Sequence, residues 1–177
     1  MNGLERPELE EVVPFYRGYI GMTEGDDLFE ALERASSSFH SVIDRVSEAD
    51  GALRYAPGKW SIKEVVQHMI DTERIMAYRA LCFARADATP LPGFDENTYA
   101  DHCAADRRTL AELIAEHDAV RLATVLLFRS FGEDMLLRKG TANDRLFTVR
   151  ALGWTIAGHS LHHIHILQQR YLQHGQA

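Results

Sequence analysis

The chain has 177 residues, 46% hydrophobic and 25% charged, which is enough for one compact domain with a sizeable core. Its net charge of −7, with no Lys/Arg cluster, argues against binding a phosphate backbone and so against nucleic acid as a partner. Its two cysteines, Cys82 and Cys103, have no CxxC spacing and support neither a disulfide framework nor a thiolate zinc site, and without a basic apolar leader or a membrane-length apolar run the expectation is a cytoplasmic protein with no membrane contact.

Residues 1–25 read as an N-terminal extension and residues 26–177 as the main domain. Pro7, Pro14, Gly18, Gly21 and Gly25 prevent one long helix in the extension. Val12, Phe15, Tyr16, Tyr19 and Ile20 are expected to dock it on the body. A first helix starts at Asp26 or Asp27, acidic residues suited to an N-terminus. Leu28, Leu32, Ala35, Phe39, Val42, Ile43 and Val46 form its apolar stripe, running to about Glu48. His40 lies off that stripe and receives no role.

After a loop with Asp50-Gly51 and Pro57-Gly58 turn signals, Ser61 and Glu64 form a capping box that opens a second helix, to about Ala86. Its stripe includes Ile62, Val66, Met69, Met76 and Ala80, with Glu73 in the middle, a costly place for an unpaired carboxylate. His68 lies roughly 130° from the stripe's centre. Taken alone it reads as a surface residue, unless neighbours bury both sides of the helix. Residues 86–105 form a long connection that can carry the chain back along the bundle and roof a site. Phe94 and Tyr99 are its candidate anchors.

A third helix starts near Asp106 or Thr109, where Thr109 and Glu112 make a second capping box, and its core face carries Leu110, Leu113, Val125 and Phe128. His117 and Arg121 share that face. Arg121 either pairs with Glu73 across the bundle or snorkels its head outward. His117 is a weaker candidate as a fourth metal ligand or second-sphere donor. Residues 130–147 read as a connector without a strand. The fourth helix spans Thr148–Tyr171 and accommodates Gly153 and Gly158, which suit close approach by another backbone or a bound group.

This last helix holds four of the nine histidines. Leu152, Ile156, His159, His163 and Leu167 fall within a sector roughly 80° wide, so two imidazoles one turn apart take places normally given to leucine. Two readings stand side by side: ligands to one metal ion, as in the paired histidines of zinc-enzyme helices, or core imidazoles satisfied by hydrogen bonds. His165 points nearly the opposite way and His162 lies on a flank. Four amphipathic helices and no convincing strand define an all-α four-helix bundle.

The segments Pro57-Gly-Lys-Trp-Ser-Ile-Lys-Glu64, Gln67-His-Met-Ile-Asp-Thr-Glu-Arg74 and Gly158-His-Ser-Leu-His-His163 resemble the DinB-like family. That family includes bacterial damage-inducible proteins and thiol-dependent transferases, and the likeness runs from about the first helix to Tyr171. It implies an up-down-down-up bundle, which the long second connection permits. It also implies one divalent metal ion, zinc or nickel, held by three histidines that map to His68, His159 and His163. His162 and His165 are surplus to the pattern, so a shifted pair stays open.

The activities implied are transfer of a low-molecular-weight thiol to an electrophile, or isomerisation of a thiol adduct. Three imidazoles with an open position on the ion would serve either thiol transfer or hydrolysis of a small molecule. Asp71, Thr72 or Glu73 would be second-sphere acceptors for His68. The alternatives are a metal-stabilised binding or interaction module closed by His117 or Glu73, and a metal-free bundle. Helix bundles with spare apolar faces often dimerise, which leaves monomer and homodimer both open.

Overall fold

The computed structural model describes residues 5–172. Residues 1–4 and 173–177, the outer ends of the two expected segments, lie outside the described residues. Four long helices form the body: α2 (Leu28–Ile43), α3 (Ile62–Ala84), α5 (Leu110–Arg129) and α7 (Val149–Ile166). Three short ones join them: α1 (Pro14–Ile20), α4 (Glu96–His102) and α6 (Glu133–Leu136). The main helix contacts are α3 with α7, α3 with α5, α2 with α7 and, more sparsely, α2 with α5. Consecutive helices α2 and α3 are therefore not principal neighbours, and α3 is flanked on both sides.

Side-chain links give the directions. Lys63 reaches the Arg108 carbonyl while Glu73 meets Arg121, so α3 and α5 run parallel. Arg121 reaches the Leu32 carbonyl and Asp118 meets His40, so α2 and α5 run antiparallel. His68 lies against His159, and Trp60, just ahead of α3, accepts from Tyr171 beyond α7, so those two helices are antiparallel.

Both capping boxes are present. The Ser61 hydroxyl accepts from the Glu64 amide at 3.1 Å and the Glu64 carboxylate accepts from the Ser61 amide at 2.8 Å; Thr109 and Glu112 do the same at 3.2 and 2.8 Å. The first long helix ends at Ile43, earlier than expected. Glu48 instead starts a 3-10 turn, from which its carboxylate ion-pairs with Lys63 and caps the Leu110 amide.

Glu73 and Arg121 meet in the core, 4% and 6% exposed. Arg121 donates from Nε and Nη2 to the carboxylate at 2.9 and 2.8 Å, and further to the Leu32 carbonyl, Ser36 and Ser160. One guanidinium thus ties all four long helices together, and the snorkelling alternative is not realised.

The expectation of a strand-free connector is corrected. Lys139–Ala142 (β1) and Arg145–Thr148 (β2) pair antiparallel across Asn143-Asp144, both with positive φ (49° and 55°). That conformation belongs to two-residue hairpin loops, and Asn and Asp tolerate it. Leu91 adds a bridge to Ala142, drawing the long connection onto the hairpin. The connection itself carries α4. Phe94 is half-buried, while Tyr99 is 46% exposed and packs on Phe94 at 5.3 Å.

The N-terminal segment docks through Gly158. A Cβ there would stand 2.1 Å from the Tyr19 carbonyl oxygen, so only glycine lets the end of α1 seat on α7. The variant Gly158→Ala is expected to lose about 1–3 kcal/mol through overpacking, read as a lower denaturation midpoint. An unchanged midpoint would contradict this close approach. Among the described residues, no helix is long and apolar enough to cross a membrane.

Candidate metal centre

Two helices supply the cluster. The Ser61 cap sets the start of α3 and places His68 two turns inside it. The Thr148 cap, accepting from the Ala151 amide at 3.2 Å, does the same for α7, which then presents His159 and His163 one turn apart. Because α3 and α7 are antiparallel neighbours, the three rings converge. His68 Nε2 lies 3.0 Å and His163 Nε2 3.1 Å from His159 Nε2. Ligand atoms from the three all fall within 4.8 Å of one another.

That geometry suits an ion better than hydrogen bonding. A ring nitrogen carries either a proton or a lone pair, so His159 Nε2 can satisfy one of its two nitrogen neighbours and not both. An ion at about 2.0–2.1 Å from each nitrogen places cis ligands roughly 3.0–3.4 Å apart, matching both separations. All three imidazoles are buried, at 9%, 7% and 8% exposure. Burial, followed by the field of His162, holds His68 down to about 4; burial and neighbouring imidazoles hold His163 at about 2 and His159 well below the usual histidine range. The rings are therefore neutral and their lone pairs free for a cation.

The expected carboxylate or hydroxyl acceptor for His68 is absent among the described hydrogen bonds. Glu73 is held by Arg121, Asp71 accepts from Gln67 at 2.9 Å, and Thr72 Oγ1 is buried with no partner. His163 Nδ1 is likewise buried and unpartnered. Aromatic packing orients the rings instead. Trp60 lies 4.7 Å from His68 and stacks toward His163 at 6.5 Å, while Tyr19 meets His159 edge-on at 5.5 Å. Neither aromatic was singled out for the site from the sequence, although Trp60 stands one residue before the Ser61 cap.

The other candidates fall outside the trio. His162 packs on Tyr19, and His165 is exposed. His117 stacks on Phe39 at 3.9 Å with its Nε2 buried and unpartnered. Among the described residues, no fourth His, Cys, Asp or Glu joins the cluster. The trio opens on a cavity of about 420 Å³ walled by Tyr16, Tyr19, Trp60, Phe94 and residues of α3. Asn143 and Arg145 reach it from the hairpin, and Phe94 and Glu96 from the long connection, which therefore roofs the site.

Comparison with known proteins agrees with this architecture. A family model described as the DinB superfamily matches residues 31–167. Among solved structures the chain is similar to Bacillus subtilis YfiT, described as a probable metal-dependent hydrolase with an unusual four-helix bundle topology. The TM-score is 0.73 over 98% of this chain and 95% of that one, at 16% identity, a likeness of fold alone. No curated protein matches.

Proposed function

This chain belongs to the DinB superfamily, and from that premise we propose that it is a divalent-metal-dependent enzyme, transferase or hydrolase, acting on a small molecule. One observation carries the reading: three neutral imidazoles from two helices converge on a cavity, and among the described residues no fourth His, Cys, Asp or Glu closes the set. A structural metal site is ordinarily closed, whereas a catalytic one keeps a position for water or substrate. His68, His159 and His163 would hold the ion. When bound, it supplies Lewis acidity that brings a water to a pKa near ~7 or ionises a thiol.

The protein's own groups supply orientation. Trp60 packs on His68 and Tyr19 on His159, and these contacts with the burial of all three imidazoles hold the rings in place. Glu73, engaged with Arg121, is withdrawn from acid–base work. Zinc or nickel fits an all-imidazole donor set.

Water and a low-molecular-weight thiol are the two nucleophiles such a site activates, and an assay separates them. Zinc- or nickel-loaded protein is offered an electrophile such as monobromobimane or an activated ester, with and without a small thiol. Thiol-dependent turnover identifies the transferase, and thiol-independent ester cleavage the hydrolase. Failure of every electrophile in metal-loaded protein would favour the non-catalytic, metal-stabilised module.

A further inference from the structure

Beyond the histidines, the cavity follows one face of α3, where His68, Thr72, Met76 and Arg79 succeed each other at helical spacing. Arg79 is 3% exposed. Its Nη2 donates to the Pro92 carbonyl at 2.8 Å, and Nη1 lies 3.7 Å from Met76 Sδ. No carboxylate among the described residues pairs with it. Burial dominates its electrostatics and Tyr16 is its one opposing partner. Arg121, equally buried, has Glu73 bidentate. A buried guanidinium without a counter-charge is costly, and its five N–H donors exceed the two contacts it makes.

A second observation lies between Arg79 and the imidazoles. Thr72, 3% exposed, lines the same cavity, and its hydroxyl has no partner. Thr72 and a buried guanidinium without a carboxylate partner thus follow the trio along one wall of a cavity that aromatic rings also line. The cavity's one acidic residue, Glu96, is exposed.

We propose that the cavity binds an elongated small molecule carrying a carboxylate, which Arg79 receives, with its other end at the imidazoles. This rests on the metal-site reading for the far end alone. A carboxylate is favoured over a phosphate because one buried guanidinium matches a planar, singly charged oxyanion. His68 and Arg79 are separated by roughly 16 Å of helix axis, shortened because a helical side chain leans toward the N-terminus. Arg79 also secures the roof through Pro92, so its role as a specificity residue must be separated from that of a staple.

The test uses cobalt-loaded full-length protein titrated with ω-mercaptopropionate, -hexanoate and -octanoate and the matching mercapto-alcohols, followed by the thiolate-to-metal absorption band. At one of the longer lengths the acid is expected to bind at least about tenfold tighter than the alcohol. Arg79→Gln should remove that preference of acid over alcohol, and Arg79→Lys should keep part of it. Equal binding of acid and alcohol at every length overturns the proposal, as does an Arg79→Gln variant that weakens both alike. Should cobalt fail to bind, phenylhexanoate and phenylhexanol are compared on metal-free protein by calorimetry. An Arg79-dependent preference for the acid then upholds the carboxylate site while the metal reading fails; no preference overturns the carboxylate site too.

Discussion

Replacing His68 or His163 by alanine is expected to abolish stoichiometric metal binding while leaving the helical content of the bundle in place. Each imidazole is one of only three side-chain donors in the cluster, so its loss leaves two nitrogens and a gap beside His159. Second-sphere substitutions alone cost about 10–100-fold in metal affinity, and removal of a ligand should exceed the upper figure. Elemental analysis after dialysis reads the outcome directly: about one ion per wild-type chain and essentially none in either variant. His162→Ala and His165→Ala serve as controls, since both side chains lie outside the cluster, and each should retain the ion. Equal metal content in wild type and His163→Ala would remove the cofactor.

The largest effect on stability is expected at Glu73 and Arg121. Truncating one member of a buried, hydrogen-bonded ion pair leaves the other charge without compensation, at about 3–5 kcal/mol. For a chain of this size that corresponds to a fall in Tm of about 6–20 °C. Arg121→Ala should be the more severe change, because it also releases Leu32, Ser36 and Ser160. The double variant Glu73→Leu/Arg121→Leu should recover part of the loss, since it buries no lone charge. A single variant with wild-type Tm would contradict the reading of this pair as the tie among four helices.

The sequence disclosed most of what makes the bundle and part of what makes the site. Capping boxes at Ser61 and Thr109 announce their helices through local hydrogen bonding: the start of α3 was legible to within a residue, and α5 starts at the second of its two candidates, Asp106 lying in a separate 3-10 turn. Glu73 and Arg121 were legible as a pair because each is a charge stranded on an apolar stripe. His159 and His163 stood out for the same reason. His68 did not: α3 is packed by α7 on one side and α5 on the other, so nearly its whole circumference is buried and periodicity points to no single face. There the family resemblance, rather than the spacing, singled out the residue.

What escaped was chiefly long-range. The hairpin had a signal in Asn143-Asp144, but its strands are only four residues each and carry no clear alternation. Tyr19 reaches His159 through docking of α1 across more than a hundred residues, which no local pattern encodes. Arg79 is an ordinary surface type in a helix interior, and only the cavity gives it meaning. The expected acidic partner for His68 also failed, because Glu73 was already committed to holding the helices together.

X-ray absorption at the K-edge of nickel- or zinc-loaded protein tests the central claim most directly. Three imidazole scatterers at about 2.0–2.1 Å, with at least one light atom from solvent completing the shell, are the predicted result. A shell with sulfur, with fewer than three imidazoles, or unchanged in His68→Ala would contradict it.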